Sequence, residues 1–314
     1  MPPPGTPPRI RVIWNPDSGS KGGVPTNTVN EEKLRDLMAR HGLGDELIAS
    51  KSEEDAVRCA REARELGYEI VVGAGGDGTV GLIANELLDS ETALGILPLG
   101  SVMNICRMLG IPRDVEEAAA ILATGHTRRI DVGFTEGQPF YESAAVGMNA
   151  AIFGQLARAD HGHYRAIGRA AWIAFRYRPA RMTIQLDTGA DVEHRALLTT
   201  VSLGPYSGLG FTVAPEARLD DGLFDVTVFR HFSKFQLIRH MASIAFGRRA
   251  WSPHTYVYRS AKVRIDGARL LPARADSRDL GTTPVEFSLR PRALKVVAPD
   301  TETRPSEDGR APGA

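Results

Sequence analysis

Apolar and polar positions divide the chain into two stretches of different rhythm. From Arg9 to about Arg129, short apolar runs alternate with segments of helical period. Ile10–Trp14 predicts a buried strand, followed by a polar loop rich in glycine and proline. Glu31–Arg40 sets Leu34, Leu37 and Met38 on one helical face. Asp55–Leu66 predicts a second helix behind Ser52, Glu53 and Asp55, the acidic start that a helix N-terminus favours. Ile70–Val72 reads as a strand, 73–78 is glycine-rich, and Thr79–Leu88 is helical again. Leu94–Leu97 is a further strand, closed by Pro98, Leu99 and Gly100, with helices to about Leu109 and over Val115–Ala123. Such alternation predicts an α/β domain with a doubly wound, mostly parallel sheet.

After Ile130 strands follow one another more directly. Phe140–Val146, Arg181–Leu186, Arg195–Ser202, Leu223–Phe229, Tyr256–Ile265 and Val285–Leu289 fit, with turns such as Asp220-Asp221-Gly222 and Asp266-Gly267 between them. A β-rich, mostly antiparallel second domain is expected, interrupted by helical insertions near 150–178 and 232–247. Leu294–Ala298 is a strand that suits either domain. The expected division is 9–129 and 130–299, with disordered ends at 1–8 and 300–314, where proline, glycine and charge dominate. No internal repeat is visible.

Composition narrows the function classes. The 314 residues are 42% hydrophobic, ordinary for a soluble globular protein. Lys+Arg 38 balances Asp+Glu 38, so no overall field draws the chain to nucleic acid, and no nucleic-acid partner is expected. Two cysteines, Cys59 and Cys106, make neither a disulfide framework nor a four-ligand zinc site. There is no run of ~18 apolar residues to span a membrane. The proline-rich start is unlike a signal peptide, and a cytoplasmic location with peripheral contact at the inner membrane face is expected.

Three loops carry the candidate chemistry. Asn15-Pro16-Asp17-Ser18-Gly19 follows the first strand, Gly75-Gly76-Asp77-Gly78-Thr79 lies between strand and helix, and Gly100-Ser101-Val102-Met103-Asn104 does likewise. In a doubly wound sheet such loops converge beyond the carboxyl ends of the strands. Glycine lets main-chain N–H groups approach a phosphate, helix starts add positive dipole ends, and Ser18, Thr79 and Ser101 add hydroxyls. Asp77 would repel phosphate unless a divalent cation stood between them, so a nucleotide with Mg²⁺ fits the set. One such loop is equally well explained by tight packing; three with hydroxyls favour phosphate. No Walker A pattern is present.

From about Arg9 to Pro299 the sequence resembles the bacterial diacylglycerol kinase and lipid kinase family, related to sphingosine and ceramide kinases. The matching pieces are Asn15-Pro16-x-Ser18-Gly19, the GGDGT of Gly75–Thr79, Leu94–Ser101, Arg107-x-Leu109-Gly110-Ile111-Pro112, Ile130–Gly133, Asp220-Asp221-Gly222 and Pro291-x-Ala293-Leu294-Lys295-Val296. The resemblance implies an NAD kinase/diacylglycerol kinase-like fold and a cleft between two domains. It also implies ATP- and Mg²⁺-dependent phosphoryl transfer to a diacylglycerol- or sphingoid-like hydroxyl. ATP would be held by Asn15, Ser18, Gly19, Ser50, Gly75, Gly76, Asp77, Gly78, Thr79, Gly100 and Ser101. A structural metal would take Asp221 and the carbonyls of Arg218 and Leu223, although a plain hairpin turn explains that segment equally. A homodimer is compatible with the resemblance.

Three positions depart from the family. Leu82 stands where a glutamate follows GGDGT, and Met103 where the third loop carries asparagine. The Asp-Gly-Glu whose glutamate is the family's general base falls on Asp276-Ser277-Arg278. Arginine accepts no proton. Asp279, next in line, is the candidate replacement beside Asp77 as a catalytic carboxylate. Three readings therefore compete: a lipid kinase, a nucleotide- or lipid-binding homologue with weakened turnover, and an NAD kinase. Arginines at 165, 169, 176, 178 and 181 are interleaved with Tyr164, Ile167, Trp172, Ile173, Phe175 and Tyr177. A similar stretch runs over His231–Trp251. Both suit an anionic membrane surface or a solvated helix face. His161 and His163 read as surface residues.

Overall fold

The structure, a computed structural model, describes residues 8–18, 20–21, 24–25, 29–152, 172–173, 175–189, 191–208, 211–230 and 255–300. Along the chain, β1 (Ile10–Trp14) leads to a short ladder of β2 (Ser20–Lys21) and β3 (Val24–Pro25). Then come α1 (Glu31–His41), β4 (Leu47–Ala49), α2 (Glu53–Glu65), β5 (Ile70–Gly75), α3 (Asp77–Leu87), β6 (Ala93–Pro98), α4 (Asn104–Leu109) and α5 (Val115–Thr124). Strands β4, β1, β5 and β6 pair in parallel in that order. Every residue of β1, β5 and β6 is buried, as expected of strands covered on both faces.

The two faces can be assigned from glycine contacts. Gly95 is opposite Val72, and a Cβ on Gly95 would lie 2.6 Å from Leu122 of α5. A Cβ on Gly73, one residue on and so on the other face, would lie 3.3 Å from Ile83 of α3. Helices therefore cover both sides, α5 with α1 and α3 with α2. The starts of α1, α2 and α5 are fixed by side-chain caps: Asn30 accepts from Lys33 N–H (2.9 Å), Ser52 from Asp55 N–H (3.2 Å) and Asp114 from Glu116 and Glu117 N–H (2.9 and 3.0 Å). Such a cap stabilises a helix by about 1 kcal/mol.

The second half begins inside a strand. β7 (Thr127–Thr135) crosses the expected boundary at 129/130, and β8 (Gln138–Phe140) and β9 (Ser143–Gly147) replace the single expected strand Phe140–Val146. β10 (Ala180–Leu186), β11 (Asp191–Ala196) and β12 (Leu198–Ser202) follow, with β13 (Tyr206–Ser207) paired to β14 (Phe211–Thr212). β15 (Phe224–Phe229), β16 (Thr255–Ser260), β17 (Lys262–Gly267), β18 (Pro272–Ala275), β19 (Arg278–Thr282) and β20 (Val285–Val297) complete the order. The runs expected as Arg195–Ser202 and Tyr256–Ile265 each break once, at Leu197 and Ala261, where the chain changes partner.

Among the described residues, six strands form an antiparallel sheet in the order β16-β15-β12-β9-β18-β19. Apart from the β13–β14 pair, the other described strands of the second half extend the first sheet: β20 pairs parallel with β6, Val296 opposite Leu94, and antiparallel with β17 and β7. Of the Leu294–Ala298 run, all but Ala298 thus belongs to one 13-residue strand that joins both halves. Phe140 stacks on Phe224 at 5.8 Å and meets Phe287 edge-on at 6.1 Å, linking the two sheets. Gly133 makes room, since a Cβ there would lie 2.3 Å from the Phe140 ring.

Of the ends expected to be disordered, 1–8 and 300–314, all but residues 8 and 300 lie outside the described residues, as do the 232–247 insertion and most of the 150–178 insertion. So do His161, His163, Arg165 and Arg169. Helical backbone is described at 148–152, 172–173 and 175–176.

Candidate functional site

The parallel strands end together. Trp14 is opposite Ala74, and Gly75 opposite Pro98, so three loops leave one edge of the sheet. Asn15 N–H donates to the Ala74 carbonyl (3.0 Å) and Leu99 N–H to that of Gly75 (3.0 Å), tying the loops at their roots. Between them lies a cavity of about 510 Å³. Asn15, Ser18, Ser50, Gly76, Asp77, Gly78, Thr79, Gly100 and Ser101 line it. Gly75 closes β5 directly beneath, and Gly19 lies outside the described residues.

Close approach explains two glycines here. A Cβ on Gly100 would lie 2.6 Å from the Gly76 Cα, so the second and third loops touch main chain to main chain. A Cβ on Gly75 would lie 2.8 Å from that of Thr79. Asn15 Nδ2 donates to Thr79 Oγ1 (3.1 Å), fastening the first loop to the second, while Asn15 Oδ1 accepts from Asp17 N–H (3.0 Å). Ser50 is less available, since its hydroxyl donates to the Trp14 carbonyl (3.1 Å). α3 opens after Gly76 with no side chain capping its first turn. Uncapped N–H groups aimed into a lined cavity are what a phosphate needs, so the donor set fits a nucleotide. Lys51 and Leu82 also line the cavity. Lys51 escaped the sequence reading because it stands alone next to Ser50; an ammonium at the cavity wall favours an anion. Leu82 puts an apolar group where the resemblance expected a carboxylate.

Asp77 begins α3 but reaches α4. Its Oδ1 accepts from Ile105 N–H (3.4 Å), and the N–H groups of Met103 and Asn104 also favour its charged form. Burial acts more strongly and raises its pKa. A divalent cation would reverse that shift, so the half-buried carboxylate beside uncapped N–H groups also suits Mg²⁺. Met103 holds φ 53°, the left-handed region that asparagine occupies more readily.

Two further acids crowd this place: Asp276, first residue of the segment aligned with the family's Asp-Gly-Glu, and Glu142, marked by no local motif. Asp276, at the β18–β19 turn, accepts from Tyr141 N–H (2.7 Å), Glu142 N–H (3.0 Å) and Ser143 N–H (3.1 Å). Glu142 Oε2 accepts from Asn104 Nδ2 (2.7 Å), which also donates to the Gly208 carbonyl (2.7 Å). Burial, then the charges of Asp276 and Asp77, push the Glu142 carboxyl well above the usual range. The sequence offered no signal for Glu142 or for the meeting, because 77, 142 and 276 come together only between the two halves.

The other expected site residues lie elsewhere. Asp279 is exposed on β19, its Oδ1 accepting from Gly281 N–H (2.9 Å), and it does not line the cavity. The one-residue step from Arg278 turns the side chain to the other face. Arg278 donates to the Thr135 carbonyl (3.4 Å), and its Nε is buried without a partner. At the Asp-Asp-Gly turn, Asp221 Oδ1 accepts from Leu223 N–H (3.1 Å) and Oδ2 from Arg259, while Arg218 bonds Asp220 (3.3 Å). A guanidinium already occupies the carboxylate that a cation would need, so Arg218, Asp221 and Leu223 as they stand do not fit a bare metal. Among the described residues no group of three His, Cys, Asp or Glu is arranged to ligate one. The Ile130–Gly133 motif proves to be a joint: Asp131 accepts from Gly222 N–H and Arg292 N–H, both at 2.7 Å.

In the segment at 172–178, Trp172 and Phe175 are exposed, and Arg269 donates to the Arg178 carbonyl (2.8 Å). Among the described residues no helix is long and apolar enough to cross a membrane.

Comparison with known proteins places this geometry. Residues 9–135 match the family model described as the diacylglycerol kinase catalytic domain. Residues 146–298 match the YegS C-terminal NAD kinase beta sandwich-like domain. The chain is similar to a diacylglycerol kinase of Bacillus subtilis (strain 168), 27% identical over 317 residues, with 96% of this chain and 99% of the relative covered. A probable lipid kinase YegS-like protein of Chromohalobacter salexigens is 31% identical over 257 residues, with 78% and 81% covered. The crystal structure of a diacylglycerol kinase from Bacillus anthracis str. Sterne superposes with a TM-score of 0.68 at 19% identity, covering 93% of this chain and 97% of that one; at such identity it speaks for the fold.

Proposed function

The chain belongs to the diacylglycerol kinase family of lipid kinases, and from that premise we propose that it transfers the γ-phosphoryl group of ATP, with Mg²⁺, to a hydroxyl of a diacylglycerol- or sphingoid-like lipid. The observation that carries this reading is the cavity of about 510 Å³ where three loops meet beside Asp77 and the uncapped start of α3. Gly76, Gly78 and Thr79 would cradle phosphates through main-chain N–H groups. Asn15, Ser18 and Ser101 would fix the nucleotide, and Asp77 would hold the metal. Bound Mg²⁺·ATP supplies the phosphoryl group and neutralises the charge that develops on it. Phosphoryl transfer depends mainly on positioning and charge stabilisation, which the cradle provides.

Arg278, standing where the family's base is expected, favours a second reading: a homologue that binds nucleotide or lipid and turns over little. The test is incubation with γ-labelled ATP, Mg²⁺ and mixed-lipid micelles, beside Asp77→Ala. Label in lipid, falling ~10²–10³-fold in the variant, supports the kinase. Nucleotide-dependent thermal stabilisation without label supports the binding protein. Label entering NAD would move the reading to an NAD kinase. Peripheral contact with the inner membrane face through the segment around Trp172, Phe175 and Arg176 belongs to the same proposal.

A further inference from the structure

Trp172, Phe175 and Leu270 are large apolar residues left 59%, 55% and 73% exposed. They come from two stretches far apart in sequence, and Arg269 ties the two together. Its guanidinium donates to the Arg178 carbonyl (2.8 Å) and lies 5.5 Å from the centre of the Tyr177 ring. Arg176 lies 5.3 Å from the centre of the Trp172 ring, one helical turn back. Leu270 is not displayed by a slack loop. Ala268 N–H donates to the Arg181 carbonyl (3.0 Å), Leu271 N–H to Thr283 Oγ1 (3.1 Å), and Thr283 N–H to the Leu271 carbonyl (2.8 Å). A Cβ on Gly267 would lie 2.6 Å from the Arg269 carbonyl, so the turn is tight, with Leu271 buried and Leu270 in water. One exposed leucine is ordinary. A leucine on a fixed turn, joined to two exposed rings and to the exposed Arg176, Arg178 and Arg269, is an interaction surface.

We propose that the segment 172–178 and the turn 268–270 form one docking surface for a bilayer that carries anionic phospholipid; this rests on the lipid-kinase reading above for its purpose. Trp172, Phe175 and Leu270 enter the boundary between headgroups and acyl chains, and Arg176 and Arg178 take headgroup phosphates. Arg269 is a positioning residue that holds the two stretches together. Charge selects this partner. Neither 172–181 nor 267–272 contains an aspartate or glutamate, and Asp266, just before the turn, accepts from Arg264 (3.0 Å). Guanidinium groups separate the apolar tips, which spoils a dry protein interface. The same spacing suits a headgroup layer, where arginine meets phosphate and an indole or leucine reaches the chains below.

The test is co-sedimentation of the full chain with vesicles of phosphatidylglycerol and phosphatidylcholine, and with vesicles of phosphatidylcholine alone, followed by tryptophan emission. The native protein is expected to bind the anionic vesicles, more weakly as salt rises. Part of its emission shifts to the blue and is quenched by brominated acyl chains, and that part is missing in Trp172→Phe. Arg176→Gln with Arg178→Gln lowers the partition on the order of 30-fold. Phe175→Ser with Leu270→Ser lowers it at least ~10-fold. Both double variants keep the native melting temperature without vesicles, because the changed side chains are exposed. The proposal is overturned if the native protein binds no vesicles or binds neutral ones equally, or if both double variants stay within ~3-fold of it. It is also overturned if Trp172→Phe is quenched like the native protein, or if the variants turn a native dimer into monomers, which would put a second copy of the chain on this surface. Vesicle binding through this surface with no label entering lipid sinks the kinase reading alone. Label entering lipid in detergent micelles, with no vesicle binding, sinks the docking surface alone.

Discussion

The nucleotide cavity and the carboxylate cluster adjoin each other, yet opposite means build them. The cavity is made of main chain: three short loops on neighbouring parallel strands, brought so close that Gly100 and Gly76 touch. The cluster is made of side chains from 77, 142 and 276, which no local motif unites. The cavity needs small residues at fixed places, and a change there acts by collision. The cluster needs three acids to share a dry space, and a change there acts through charge.

Gly100→Ala is the strongest way to break this contrast. Its Cβ meets backbone, which cannot turn aside, so nucleotide affinity should fall by on the order of 100-fold, about 2.7 kcal/mol, by calorimetry. Gly78→Ala, with nothing within 4 Å of the added Cβ, should cost far less, and equal losses would refute the collision argument. Next in size is Asp131→Ala at the joint between the halves. It strands the N–H groups of Gly222 and Arg292 and should lower unfolding free energy by about 2–4 kcal/mol in urea, with nucleotide affinity intact.

Glu142→Gln sharpens the cluster side through stability. The native state raises this carboxyl's pKa, so it keeps the proton where the unfolded chain has lost it. The native protein therefore loses stability as pH rises from the ordinary glutamate range through the raised value. The glutamine variant escapes that loss and should melt higher above neutral pH, by roughly 1 kcal/mol or more, but not near pH 4. Curves that stay parallel across pH would refute it. The smallest effect belongs to Asp279→Asn, exposed and bonded only within β19, whose kcat/KM should stay within about 2-fold. A larger loss would return Asp279 to the reaction.

The same contrast explains what could be read beforehand. The α/β half was legible because its strands are continuous apolar runs and its ligand loops are contiguous in sequence. Ile10–Trp14, the GGDGT of 75–79 and Gly100-Ser101 each announce themselves within a few residues. The antiparallel half was legible in kind but not in its breaks: nothing local marks Leu197 or Ala261 as the point where a strand changes partner. β18 and β19 carry Pro272, Arg274, Asp279 and Gly281, which hide a strand among turn residues. Glu142 was invisible because its meaning depends on Asn104 and Asp276, 38 residues back and 134 ahead.

One feature of the sheet bears on how the chain is made. β6 has β5 on one side and finds its other parallel neighbour only in β20, which follows it by roughly two hundred positions. During synthesis the early half must therefore wait on the ribosome with an open flank until β20 emerges to seal it.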